Sequence, residues 1–134
     1  MSYPSVTAFY ACLFGLVLAA LSIRVIAGRV QGGVIHGDGG QAVLQRCIRA
    51  HANFVEYVPL VLGLAALLEM HGATAATMHA LLAPLLVARL AHPFGMQAPL
   101  NSKRQYGLRG GSVIVTLLVL VAVCVLLGVR LLGG

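Results

Sequence analysis

The residues able to do chemistry crowd into one stretch of the chain, Arg46-Cys-Ile-Arg49-Ala-His51-Ala-Asn53-Phe-Val-Glu56-Tyr57-Val-Pro59. On a helix turning about 100° per residue, Arg46, Arg49, Asn53, Glu56 and Tyr57 share an arc of roughly 100°, and His51 points the other way. One face therefore carries two cations, an amide, a carboxylate and a phenol. Arginines at a span end can simply mark a membrane boundary and neutralise a nearby acid. Glu56 argues for more. It lies about two turns inside the helix from Arg49, where a lone charge costs about 2.5–3.5 kcal/mol, and an ionisable residue at such depth points to function. Four arginines, at positions 24, 29, 46 and 49, surround that acid. The excess of positive charge suits an anionic ligand that also bears an ammonium group. Guanidinium forks bind its carboxylates, and Glu56 pairs with its amine.

Other reactive side chains carry weaker signals. His92-Pro93 ends an apolar run and suits the orientation of a thiol or carboxylate as well as a plain interfacial role. Cys47 sits among the arginines, which lower a thiol pKa, but it falls off the Arg49–Asn53 line and reads as a bystander. His36, His71 and His79 lack ligand spacing with one another or with a cysteine, so no metal site is expected. Pro59 and Pro84 read as helix kinks, whose freed carbonyls can shape a pocket.

The elements that must position these groups follow from composition. Of 134 residues, 60% are hydrophobic and 9% charged, against about 45–50% and about 25% in soluble domains. Mean hydropathy is +0.96. Such a chain is neither disordered nor an ordinary cytosolic domain. Its nine basic residues cannot tile a duplex, so nucleic acid is not an expected partner. The net charge of +6 is read instead as flanking the spans or meeting anionic lipids and ligands. Three cysteines imply no disulfide framework.

Four apolar runs are long enough to cross a bilayer, which takes about 20 residues. They predict helices over about 4–27, 42–70, 73–93 and 108–131 in one transmembrane domain. The first has no basic n-region and reads as a span rather than a cleaved leader. The second reaches spanning length only by including its polar half, Arg46 to Glu56, with Arg89 taken to close the third. Gly28–Gly40 reads as a flexible loop, His71–Thr74 as a tight turn and Phe94–Leu108 as a longer polar loop. Eight basic residues gather around the first and third connections and one, Arg130, lies at the other side. That bias places those loops, and the polar stripe, toward the cytoplasm and both termini opposite. The expected architecture is an all-α, integral-membrane, up-down bundle of four helices.

The string from Arg49 to Pro59 resembles the glutathione-binding helix of the MAPEG family, membrane-associated proteins in eicosanoid and glutathione metabolism that include the microsomal glutathione transferases. Val25-Ile26-Ala27-Gly28-Arg29 and Ala88-Arg89-Leu90 are also similar to family stretches, and the four-span layout matches over nearly the whole chain, as in a bacterial-type member of an inner membrane. The resemblance implies a homotrimer with glutathione sites at the subunit interfaces. Arg49, Asn53, Glu56 and Tyr57 would grip the peptide from one subunit, with Arg29 and His51 reaching in from the neighbour. The thiolate-stabilising arginine matches Arg109 best, with Arg104 as runner-up. Leukotriene C4 synthase, one of the better-known members, carries two tyrosines at the end of helix 3; here those places fall to His92 and Met96, and leukotriene synthesis is not implied.

The activity so implied is a glutathione-dependent transferase or peroxidase that attacks lipophilic small molecules arriving through the bilayer, with glutathione as cosubstrate and no metal. A thiol of pKa about 8.5 is only about 3% thiolate at pH 7; an arginine that lowers it by about two units, worth roughly 2.7 kcal/mol, makes thiolate the major species. A rival reading is a small four-span exporter whose intramembrane Glu56 carries protons or cationic drugs. The neighbouring arginines would repel such cations, and the charge bias opposes dual-topology assembly. A third reading is a non-catalytic family member that keeps the binding residues.

Overall fold

The computed structural model describes residues 3–133. Its elements are helices α1 (Ser5–Gly32), α2 (Ala42–Met70) and α3 (Ala75–Gln97), followed by a π-helical turn, Gln105–Gly110, that runs directly into α4 (Gly111–Gly133). All four are long and apolar enough to cross a membrane, the last counted from Gln105 to Gly133. Large aliphatic side chains such as Leu16, Ile23, Leu118 and Val125 stand exposed on the outside, as hydrocarbon-facing side chains do. The protein is an all-α four-helix membrane bundle.

The central pair is α2 and α3. Each packs against both α1 and α4, whereas α1 and α4 do not meet among the described residues. The core between them is filled by Phe14, Phe54, Val58, Val61, Leu68, Met78, Leu82, Leu85 and Val123. The rings of Phe14 and Phe54 sit 6.1 Å apart, tilted, and stitch α1 to α2. Close packing of this kind supplies helix association where surrounding lipid is as apolar as the helices themselves.

Two connections are shorter than the sequence suggests. Helix α1 continues through Gly28 and Arg29 to Gly32 instead of yielding to a loop at Gly28. Gly28 is there for close approach: a Cβ at that position would lie 3.0 Å from Leu44 Cδ1 of α2. The helix stops at Gly33, whose φ of 64° is left-handed. The Gly33 amide donates to Val30 O and the Val34 amide to Arg29 O, the paired bonds of a Schellman ending. The third connection likewise shrinks to residues 98–102, because α3 runs on to Gln97 and helical backbone resumes at Lys103, just ahead of the π-helical turn.

At the far end of the bundle, Glu69 is 6% exposed and turned onto the start of α1. Its carboxylate accepts from the amides of Val6 (2.9 Å) and Thr7 (2.8 Å) and from Thr7 Oγ1 (2.7 Å). The first helical amides have no partner within their own helix, and an acid there also meets the positive end of the dipole. Nearby, Tyr10 Oη lies 3.1 Å from His79 Nδ1, and Arg130 Nη1 donates to His71 O at 3.0 Å. These ties close the end opposite the arginine-rich one.

Candidate functional site

The stripe on α2 is helical throughout, and the bundle divides it into an outer and an inner part. Arg49 and Glu56 are exposed, two turns apart. Arg46, Asn53 and Tyr57 are half-buried. His51, on the other side of the helix, turns to α1 and sits with Nε2 3.1 Å from Ser22 Oγ. Pro59, inside α2, denies Val55 its usual amide partner one turn on and so loosens the helix just beyond Glu56.

The inner part centres on Arg89, which does not end α3 as the sequence suggests but lies inside it, 1% exposed. Its Nη1 donates to Asn53 Oδ1 of α2 at 2.8 Å. Its Nη2 donates to Ser112 O of α4 at 3.2 Å and to Thr116 Oγ1. Nε is buried without a partner. One guanidinium thus joins three helices through neutral acceptors, and its charge is not matched by a carboxylate among these bonds. Tyr57 and His92 lie within electrostatic range of it. His92 is 4% exposed and also within range of Arg109. The sequence alone reads Arg89 as closing the third span, and only the continuation of α3 to Gln97 puts it two turns inside the helix.

Arg109 projects from the π-helical turn. It is exposed and lines a cavity of about 320 Å³ with Gln105, Tyr106, Val113 and Ile114. The turn is held close by Gly95 of α3, where a Cβ would stand 2.3 Å from the Arg109 amide nitrogen and 2.8 Å from the Leu108 carbonyl carbon. Single π turns within helices recur at functional positions; this one sets the direction of Arg109. Arg104, also exposed, opens onto a different cavity with Val87, Ala91 and Phe94. Arg29 is half-buried in the last turn of α1 with Nε unpartnered, beside a cavity formed with Ile26, Val30 and Ile35. Within one chain, then, Asn53, Tyr57, Arg89 and His92 come together and Arg109 stands near His92. Arg49 and Glu56 face outward on α2, and Arg29 faces another cavity. Cys47 accepts from Gln97 Nε2 at 3.3 Å, and no cluster of three metal-ligating side chains occurs among the described residues.

The model of the MAPEG family matches residues 7–129. Inner membrane protein YecN of Escherichia coli K12 is 38% identical over 115 residues, which cover 86% of this chain and 88% of that protein. The protein of the same name from Escherichia coli O6:H1 strain CFT073 matches to the same extent. No solved structure matches the chain significantly.

Proposed function

The chain belongs to the MAPEG family, and from that premise we propose that it is a membrane-embedded glutathione-dependent transferase or peroxidase acting on lipophilic electrophiles or hydroperoxides. The observation that carries the reading is the pair of opposite charges, Arg49 and Glu56, left exposed on one face of a membrane helix. Charges in such a place are costly unless a ligand or a neighbouring subunit meets them. Glutathione has the matching groups, two carboxylates and an ammonium. Arg49 takes a carboxylate and Glu56 the amine, while Asn53 and Tyr57 contribute amide and phenol contacts. Arg89 acts as a positioning residue by holding Asn53.

In this reading the site is completed in a homotrimer, where Arg29 and His51 of a neighbour approach the α2 face. Arg109 stabilises the thiolate, and His92 between Arg89 and Arg109 helps orient the thiol. The thiolate attacks an electrophilic carbon and displaces its leaving group. With a hydroperoxide it attacks the terminal oxygen, breaking the O–O bond to give the glutathione sulfenic acid and, after protonation, the alcohol. A second glutathione then converts the sulfenic acid to the disulfide and water. The site opens toward the cytoplasm, by the charge bias of the loops.

Calorimetry with the purified, detergent-solubilised protein tests the binding half. Arg49→Ala and Glu56→Gln are each expected to weaken glutathione affinity by about tenfold or more, since a charge-assisted hydrogen bond is worth about 1.5–3 kcal/mol. Wild-type affinity in both variants would overturn the site. If Glu56→Gln instead abolished drug-dependent proton uptake by vesicles, the exporter reading would replace this one.

A further inference from the structure

Three prolines lie inside the described helices, Pro59 in α2 and Pro84 and Pro93 in α3. Each denies an amide to the carbonyl four residues earlier, and its ring crowds that carbonyl away from the helix axis. At membrane depth a carbonyl released in this way needs a donor from elsewhere. Three residues before Pro84 and Pro93 stand Leu81 and Leu90; three before Pro59 stands Glu56. Residues three apart are neighbours on a helix surface, so the oxygen that Pro59 releases, that of Val55, lies beside the Glu56 side chain. The chain leaves this patch open. Val55 is 45% exposed, and Glu56, Pro59 and Leu60 are exposed with it. A carboxylate and a carbonyl only accept, so the group that joins them must offer more than one N–H. Among the groups of glutathione, the primary ammonium has three such donors on one atom.

We propose that the Val55 carbonyl, released by Pro59, is the second acceptor for the ammonium group that Glu56 holds, and that Pro59 thereby sets a preference for a ligand with a free primary amine. The inference rests on the glutathione reading and adds to it a backbone contact and the residue that provides it. Glu56 alone would attract any cation. The added carbonyl favours N–H groups only, and a site built to hydrogen-bond a group rejects analogues that lack it. Pro59 is a positioning residue here, since it acts through the oxygen it leaves free.

Calorimetry on the purified protein in detergent can compare glutathione with its deaminated analogue, in which hydrogen replaces the amine. Wild type should prefer glutathione by roughly a hundredfold, about tenfold from each acceptor. Pro59→Ala supplies an N–H that recaptures the Val55 oxygen. It should lower the preference about tenfold, equivalent to about 1.4 kcal/mol, and leave affinity for the deaminated analogue unchanged. Replacing Pro59 by lactic acid through nonsense suppression removes both the ring and the N–H, and should keep the wild-type preference. A Pro59→Ala variant that discriminates like wild type would overturn the proposal and leave the Glu56 contact standing. Equal loss of both ligands would make Pro59 merely structural, and a lactic-acid variant that behaves like Pro59→Ala would assign the effect to the kink; either result overturns the free carbonyl. Equal affinity of wild type for the two ligands would remove the ammonium contact, Glu56 included. Failure of wild type to bind either one would instead defeat the glutathione reading itself, and this inference with it.

Discussion

Arg109 stands where it does because α3 has no side chain at position 95. The backbone of the π-helical turn lies so near Gly95 that a methyl group would overlap the Arg109 amide. Gly95→Ala must therefore push the turn away from α3 and re-aim the guanidinium. An arginine acting on a thiol works through charge at one atom, whereas in the proposed site Arg49 would work through carboxylate recognition. Arg109→Ala is expected to leave glutathione affinity within a few-fold of wild type yet remove the thiolate absorbance band and roughly one to two orders of magnitude of conjugation rate, at about 1.4 kcal/mol per pKa unit. Gly95→Ala should reproduce part of that loss with every charge in place. Arg104→Ala, facing another cavity, should change little. Thiolate lost with Arg104→Ala and retained with Arg109→Ala would transfer the role to Arg104. Asn53 carries a second residue-scale consequence. Asn53→Ala should lower the melting temperature as well as the affinity, because it leaves Arg89 Nη1 buried without its partner, at about 1–3 kcal/mol or more for a charged donor.

Among the elements, α1 depends on α2 at both ends. Gly28 lets Leu44 pack close near one end. At the other, Glu69 takes the amides of Val6 and Thr7 that α1 cannot satisfy itself. The N-cap position of α1 is Pro4, which offers no capping side chain. Glu69→Ala should then leave two amides and the Thr7 hydroxyl unpaired and destabilise the bundle by roughly 1–3 kcal/mol, measured as a fall in melting temperature in detergent. Glu69 lies 13 residues beyond Glu56 on α2, about 20 Å along the helix. Its removal is accordingly expected to spare glutathione affinity in the protein that remains folded. A Glu69→Ala variant with unchanged melting temperature would show that the cap contributes nothing.

Across the whole molecule, the ends of the bundle differ in charge. Arg29, Arg46, Arg49, Lys103, Arg104 and Arg109 gather around the first and third connections, and Arg130 alone lies at the other end. In a background without the three native cysteines, a membrane-impermeant maleimide applied to intact bacterial cells should label His71→Cys in the α2–α3 turn and miss Lys103→Cys. The opposite pattern would invert the orientation. The exposed Arg49–Glu56 face bears on assembly as well. Cross-linking in the membrane should proceed to trimers; a ladder ending at dimers would contradict the homotrimer.

Four apolar runs, each bounded by charge or glycine, determine the membrane bundle without any structure, because a backbone in hydrocarbon must satisfy its own hydrogen bonds and does so as helix. The α2 stripe is legible for a related reason: its five side chains share one arc whatever α2 packs against. Which of them face outward is a tertiary matter. Asn53 is engaged because Arg89, from a helix 36 residues later, reaches across to it, and no local pattern encodes that distance. Glycine misleads in the same way. At Gly28 and Gly95 the missing side chain admits a neighbouring helix or turn, whereas a one-dimensional reading counts it as flexibility. The sequence determines that cations and an acid lie at membrane depth. Only the packing of α2 between α1, α3 and α4 decides that Arg89 is buried on neutral partners, that Glu69 caps α1, and that Arg49 and Glu56 stay exposed, because burial depends on which faces the other helices cover.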